Sequence, residues 1–192
     1  MTPETQDTIL RTERLLLRPL ELDDVDLLWP DIADGEISKY MAWEAHTDKS
    51  QTVSFLKGEV ARRQAGQGIT WAVLKDGSFC GIFSIIGLVN THRALTYNKA
   101  ELAYWLSRKY QGQGIMTEAG LRVLQFAFQQ LGLHKLFVSH FSINQASEKL
   151  IKRLGFRYVG EQLEEFQKDG VWHNHKSYEL LEREFQEGSK TK

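Results

Sequence analysis

The spacing of apolar positions changes several times along this chain, and each change marks an element. Leu15 to Leu20 reads as a first strand. Asp23 and Asp24 stand where helix N-caps belong, ahead of Val25, Leu27, Leu28 and Trp29, and Pro30 is expected to break or kink that helix. Ser50 reads as the cap of a second helix with Val53, Leu56 and Val60 on one face, ending near Gly66 or Gly68. Ile69 to Leu74, Phe79 to Val89 and Ala100 to Leu106 have strand character, with Asp76-Gly77 as a hairpin turn. Met116, Ala119, Val123, Leu124 and Ala127 line one side of a long helix over Gly114 to Leu131, which Gly132 ends. Lys135 to Ile143 is a strand and Gln145 to Leu154 a short helix closed by Gly155. Phe156 to Phe166 and Trp172 to Leu181 form a last hairpin around Asp169-Gly170. The strand–helix–strand unit around Gly114 calls for a right-handed parallel crossover, and hairpins join most other strands. The pattern therefore predicts a mixed α/β (α+β) fold with about four helices.

A chain of 192 residues fits one domain, placed at 9–186, with polar ends at 1–8 and 187–192 expected to be loose. There is no internal repeat and no linker rich in Pro, Gly or Ser. With 24 Lys and Arg against 25 Asp and Glu, interspersed, the chain lacks the basic face of a direct nucleic-acid binder. No apolar run is long enough for a membrane span, and Met1-Thr2-Pro3-Glu4 does not open a signal peptide. Cys80 is the one cysteine, so no internal disulfide can form, which agrees with a reducing cytoplasm. Its apolar surroundings suit a small core residue rather than a catalytic thiol.

The segment Lys109-Tyr110-Gln111-Gly112-Gln113-Gly114-Ile115 lies between strand and helix. Glycines let a backbone approach a phosphate, and free N–H groups at a helix start point at it. The segment lacks the Gly-Lys-Ser/Thr ending of a Walker loop, and position 117 is Thr where a dinucleotide fingerprint needs a third glycine. A bare Gly-x-Gly is also compatible with an ordinary tight turn.

About 30 residues after Gly114 the chain reads Asn144-Gln145-Ala146-Ser147-Glu148-Lys149-Leu150-Ile151-Lys152-Arg153-Leu154-Gly155-Phe156. Together with the glycine turn, this run resembles the GNAT superfamily of acyl-CoA-dependent N-acetyltransferases. Arg11 to Pro19, Asn98 to Leu106 and Tyr110 to Met116 look most like the RimJ/RimL branch, and within it the RimL type, which acetylates N-termini of ribosomal proteins. The likeness runs from Arg11 to Leu181. It implies a GNAT fold, in which a mixed, mostly antiparallel sheet is splayed at two parallel strands. It implies a cytoplasmic enzyme that uses acetyl-CoA as co-substrate, with no metal, and a homodimer. The acceptor would be a protein N-terminal amine, or else a small amine such as an aminoglycoside, a polyamine or an aminoacyl compound. A non-catalytic acyl-CoA-binding module is the competing reading.

By the same resemblance, the backbone from Gln111 through Gly112, Gln113, Gly114, Ile115 and Met116 to Thr117 would hold the pyrophosphate. Leu102, Ala103 and Tyr104 would line the pantetheine arm opposite Phe137 to Phe141, and Asn144 would hydrogen-bond that arm or cap its helix. Many family members carry Tyr at the place of Ile151 as the acid for the leaving thiolate. Ile151 cannot donate a proton, which leaves Ser147, one helical turn beyond Asn144, or water; Ser147 also fits as a small polar first-turn residue. Glu165 is the first candidate for the base, Glu164 its competitor because strand neighbours face opposite ways, and Glu101 a third. His140 lies on the second cofactor strand with a pKa range suited to proton transfer, while His173 and His175 border the acceptor side. Lys39 to Glu44 and Gln167 to Val171 are expected to frame the acceptor.

Overall fold

The computed structural model describes residues 8–190, with side chains through residue 188. One sheet contains β1 (Leu10–Arg11), β2 (Leu15–Pro19), β3 (Ile69–Lys75), β4 (Ser78–His92), β5 (Leu95–Leu106), β6 (Lys135–Phe141), β7 (Arg157–Lys168) and β8 (Val171–Leu181), in the order β1-β2-β3-β4-β5-β6-β8-β7. Every neighbouring pair is antiparallel except β5 and β6. Helices α1 (Val25–Ile32), α2 (Gly35–Ser38) and α3 (Lys49–Gln64) fill the connection from β2 to β3. Helix α4 (Ile115–Gln129) joins β5 to β6, α5 (Gln145–Arg153) joins β6 to β7, and α6 (Glu182–Lys190) follows β8. The mixed, mostly antiparallel sheet is the one the pattern predicts. The short α2 and the terminal α6 raise the helix count above the expected four.

Local chemistry explains where the boundaries differ. Asp48, not Ser50, caps α3: its carboxylate accepts from the Ser50 N–H at 2.7 Å, and Gln51 reaches back to the Asp48 N–H at 3.2 Å. The buried stripe of α3 is Thr52, Leu56 and Glu59 rather than Val53, Leu56 and Val60. Glu59 is tolerated inside because Arg62 at 2.5 Å and the Thr70 hydroxyl at 2.5 Å both donate to it. Asp24 stands at the α1 N-cap as expected, but its side chain makes no cap bond; its carboxylate takes both Nη atoms of Arg18 at 2.7 and 2.6 Å and the Glu21 N–H at 2.8 Å. Pro30 sits within α1, which runs on to Ile32.

The expected loose ends need correction where they are described. The Thr8 carbonyl accepts the Trp71 indole N–H at 2.6 Å and Thr8 is buried, while α6 continues through Lys190. The rest of the expected loose ends, 1–7 and 191–192, lies outside the described residues.

The sheet carries a core on each face. On one side Trp71, Phe83, Leu102, Leu136, Val138 and Tyr178 pack under α4 and α5 through Ile115, Val123, Phe126 and Ile151. On the other, Ala72, Phe79, Ile82 and Trp105 pack under α1, α2 and α3 through Leu28, Ile32, Ile37 and Leu56. Cys80 is fully buried, as a small core residue should be.

Between β5 and β6 the sheet opens. Lys99 pairs with Lys135, Ala100 with Leu136 and Glu101 with Phe137; β5 then continues to Leu106 and β6 to Phe141 without further pairing. Aromatic contacts tie each arm to its outer neighbour. Tyr104 stacks on Phe83 at 5.3 Å and Trp105 meets Phe79 edge-on at 5.6 Å. On the other arm His140 stacks on Tyr178 at 5.5 Å and Phe141 meets His175 at 5.8 Å.

The first arm is also pressed tightly against β4. A Cβ on Gly81 would stand 2.3 Å from the Trp105 carbonyl oxygen and 2.9 Å from the Leu106 Cα. Gly81→Ala is expected to lose about 3 kcal/mol, a fall in Tm of about 6–12 °C in a chain of this size. Gly58, on the open surface of α3 with nothing within 4 Å of a built Cβ, gives the opposite sign. Gly58→Ala should gain about 0.5–1 kcal/mol from helix propensity alone, and thermal melts of the two variants check both.

Candidate functional site

The opening is bounded at one end by the loop before α4. A single turn, with the Tyr110 N–H on the Ser107 carbonyl at 3.0 Å and the Gln111 N–H on that of Arg108 at 3.3 Å, delivers the chain to two left-handed glycines. Gly112 has φ 73° and Gly114, the α4 N-cap, φ 76°. The first helical bond runs from the Glu118 N–H to the Gly114 carbonyl at 3.0 Å. Among the described residues, the N–H groups of Gly112, Gln113, Gly114, Ile115, Met116 and Thr117 have no hydrogen-bond partner. Consecutive unsatisfied donors at the positive end of a helix dipole make an anion cradle.

Two arginines at this loop were not anticipated. The Glu118 carboxylate accepts from the Thr12 hydroxyl at 2.5 Å, the Arg14 N–H at 3.1 Å and Arg14 Nε at 2.7 Å. Burial works against that carboxylate, but these hydrogen bonds outweigh it and hold its pKa below the ordinary value. Arg14 in turn sets its Nη atoms 3.4 Å from the Gln113 carbonyl. Arg153, from the end of α5, lies with Nη1 3.4 Å from the Thr117 hydroxyl. Both arginines lie in runs that carry the resemblance, Arg14 in 11–19 and Arg153 in 144–156, but their approach to this loop depends on contacts distant in sequence.

Asn144 caps α5, its Oδ1 accepting the Ser147 N–H at 3.1 Å, which leaves its NH₂ donors unspent. The Ser147 hydroxyl sits 2.8 Å from the Tyr104 hydroxyl across the opening. Burial pushes the Tyr104 phenol up to about 12, with the Ser147 contact a smaller opposing influence. Tyr104 therefore stays a phenol at neutral pH, and either hydroxyl can donate in its contact with Ser147. Leu102 to Tyr104 were expected to contribute an edge of backbone, and the Tyr104 side chain is an addition. Ile151 is fully buried in the core.

Alternation along the strands decides which side chains share the other face. Leu102 and Tyr104 face α4, so Glu101, Ala103 and Trp105 face the α1–α3 side, and Trp105 is in that core. Across the opening Leu136 and Val138 face α4, so Ser139 and Phe141 join Glu101 on the far side. The Ser139 hydroxyl accordingly lies 3.4 Å from Glu101 Oε1. Glu101 is half-buried where pairing ends, and desolvation raises its pKa, with the Ser139 contact opposing less strongly.

Glu164 and Glu165 are exposed, and the simple alternation expected for them does not apply. The β7–β8 register passes from Gln162–His175 to Phe166–His173 through a bulge, with Glu164 at φ 51°. His175, Phe141, His173 and Phe166 form a ring cluster with centroids 5.0–6.4 Å apart. His140 donates Nδ1–H to the Phe141 carbonyl at 2.7 Å, its Nε2 is buried without a partner among the described residues, and burial lowers its pKa. It is a neutral imidazole at neutral pH. The segments expected to frame the acceptor meet, since Lys168 donates to main-chain carbonyls of Ser38, Met41 and Trp43. Among the described residues no group of three or more His, Cys, Asp and Glu could hold a metal ion, and no helix is long and apolar enough to cross a membrane.

Comparison with known proteins gives this geometry a context. Residues 14–157 match the family model of the acetyltransferase (GNAT) domain. YdaF of Bacillus subtilis, named as a candidate ribosomal N-acetyltransferase, is 29% identical over 182 residues, covering 93% of this chain and 96% of that protein. The spermidine N(1)-acetyltransferase of Escherichia coli K12 is 26% identical over 161 residues, 82% of this chain and 81% of that one. The solved structure of a RimL ribosomal L7/L12 alpha-N-protein acetyltransferase in complex with coenzyme A superposes with a TM-score of 0.83. It covers 90% of this chain and 97% of its own, at 19% identity, a likeness of fold.

Gly114→Val tests the loop. A β-branched residue at φ 76° costs about 1–2 kcal/mol and turns the neighbouring N–H groups away. The variant should fold, and titration with CoA should show affinity reduced at least about tenfold.

Proposed function

The chain belongs to the GNAT acetyltransferase family, and from that premise we propose that it moves an acetyl group from acetyl-CoA to the N-terminal α-amine of a protein, directly, with both substrates bound. One observation carries the mechanism. The opening between β5 and β6 has Ser147 and Tyr104 on the α4 face and Glu101 on the opposite face, so a proton donor and a proton acceptor flank the same gap.

The free N–H groups from Gly112 to Thr117 fit the charge and spacing of a diphosphate, and the unpaired edges of β5 and β6 fit an extended, amide-bearing arm. Acetyl-CoA, when bound, supplies the activated acyl carbon. Every remaining task falls to side chains and amides of this chain. The unpaired edge of β5 at Leu102 to Tyr104 offers N–H groups to the acyl oxygen as it gains negative charge. Ser147, held against the Tyr104 hydroxyl, offers its own proton to the departing sulfur when Tyr104 donates to it. Glu101 takes the proton that the attacking nitrogen must lose, directly or through one water. An α-amine with a pKa of about 7.7–8.0 is mostly protonated near neutrality, so a carboxylate whose pKa is raised toward it is the better-matched base. Burial and position favour Glu101 over Glu164 and Glu165, which stand in solvent.

Support for the protein N-terminus comes from YdaF, the relative with the fullest mutual coverage of those described above. The spermidine enzyme among the relatives makes a polyamine the second acceptor to test. A panel of Ser- and Ala-starting peptides against spermidine and aminoglycosides, read by thiol release, decides between them. Peptide turnover at least about tenfold faster in kcat/KM is expected, and activity confined to free amines overturns the proposal. Acetyl-CoA-induced stabilisation without turnover of any acceptor would leave an acyl-CoA-binding module.

The base has its own test. Glu101→Gln should lower kcat by about 10²–10⁴ and Glu165→Gln by less than about threefold; the reverse order returns the role to Glu165. The acid limb of the wild-type pH–rate profile should lie above the ordinary carboxylate range and vanish in Glu101→Gln. Stability moves the other way. A carboxyl whose pKa is raised on folding stabilises the fold below its unfolded value, about 4.3, and that contribution is lost as pH rises through the folded value. Glu101→Gln should therefore melt higher than wild type at pH 7–8, with the gap closing toward pH 4.

A further inference from the structure

The Lys168 side chain is only 8% exposed, yet its ammonium lies at the tip of a hairpin whose other residues stand mostly in solvent. Its three protons are matched by three main-chain carbonyls: Ser38 at 2.8 Å, Met41 at 2.9 Å and Trp43 at 2.8 Å. The Glu44 carboxylate adds charge compensation at 3.5 Å. An ammonium leaves water only where its donors are met, and these carbonyls meet them only while the 38–43 segment lies against the hairpin. Side chain and segment are therefore interdependent.

The segment is anchored at its other side as well. Trp43 packs on Trp105 at 6.4 Å and on His46 at 6.1 Å, and His46 packs on Phe55 of α3. Trp105 lies on β5, the near arm of the opening, whereas Lys168 ends β7, in the β6-β8-β7 half of the sheet beyond it. Residues 38–43 thus run from one half of the sheet to the other on the face that carries Glu101. We propose that Lys168 is a positioning residue that straps this segment across the opening and sets how wide an amine can reach Glu101. The proposal rests on the acceptor entering from the Glu101 face, as argued above. A strap fixed through main-chain carbonyls discriminates by shape: a slender chain end passes beneath it, and a branched or ring-bearing amine meets it.

The test compares wild type with Lys168→Met, which keeps the length of the stem and removes all three donors, and Lys168→Arg, which keeps charge and donors. Hydrogen exchange comes first because it needs no substrate. In Lys168→Met, amides of residues 38–44 should exchange at least about tenfold faster while α4 and β5 are unchanged; unchanged exchange at 38–44 overturns the strap. In thiol-release assays, KM for the preferred acceptor should rise at least about fivefold with kcat within about twofold and acetyl-CoA affinity unaltered. The kcat/KM ratio of a bulky to a slender amine should rise, and Lys168→Arg should recover most of both effects. An equal fall in kcat for every acceptor with no change in KM would show a purely structural residue and end the proposal. If wild type turns over no amine, the functional proposal has failed, and the exchange result still decides the strap. Should Lys168→Met not fold, Trp43→Ala frees the other anchor and must reproduce the exchange and KM changes.

Discussion

Everything chemical in this molecule depends on two parallel strands that stop pairing. Beyond Glu101 and Phe137 the inner edges of β5 and β6 have no strand to bond, although each strand continues and remains matched to its outer neighbour. Main-chain polar groups left unpaired in a sheet interior cost about 1–3 kcal/mol each unless water or a ligand meets them. Aromatic contacts tie each arm to its outer neighbour and so oppose closing of the gap. Tyr104 and Trp105 belong to rings on β4, and His140 and Phe141 to rings on β8. The same side chains that build the core thus hold the two strands to their outer neighbours on either side of the gap.

The gap also sorts the chemistry by face. Strand alternation sends Tyr104 toward α5 and Glu101 toward α1–α3. Their environments differ in the matching sense: Tyr104, half-buried and stacked on Phe83, stays protonated, while Glu101, half-buried beside Ser139, has its pKa raised with no cation among the described residues against it to hold it ionised. Adjacent residues of one strand could not provide this separation on a flat surface; it needs both faces of an open sheet. The glycine loop adds the third element at the end of the gap, its donors facing outward because Gly112 and Gly114 take left-handed geometry.

What could be read from sequence is what depends on neighbours along the chain. The left-handed glycines, the Asn144 cap and the 3.6-residue stripe of α4 are local, and each appears where expected. Cap identity failed at Asp48 because two residues two positions apart, Asp48 and Ser50, both suit the role and the Gln51 contact decides between them. The face of Glu165 could not be read because a bulge in β7 breaks the alternation on which the reading relied. Arg14 at the glycine loop and Lys168 on the 38–43 segment are contacts between residues about 100 or more positions apart, set by sheet order rather than by any local pattern.

The loss of a helix tyrosine at Ile151 then has a physical reading. Ile151 is buried to 0% exposure between α5 and the sheet, so a phenol introduced there would have to displace core before it reached the gap. Tyr104 brings a phenol to the gap from the strand instead, but its hydroxyl is spent on Ser147 and its raised pKa makes it a poor acid. What the pair gains is orientation. The Tyr104 contact fixes where the Ser147 hydroxyl sits, and the Asn144 cap holds the Ser147 backbone in place. In the proposed mechanism the Ser147 hydroxyl hydrogen-bonds the negative charge on sulfur without surrendering its proton, and solvent then protonates the departed thiolate. In that proposal the phenol's contribution is to hold the serine in place, a role that does not require Tyr104, with its pKa raised by burial, to give up its proton.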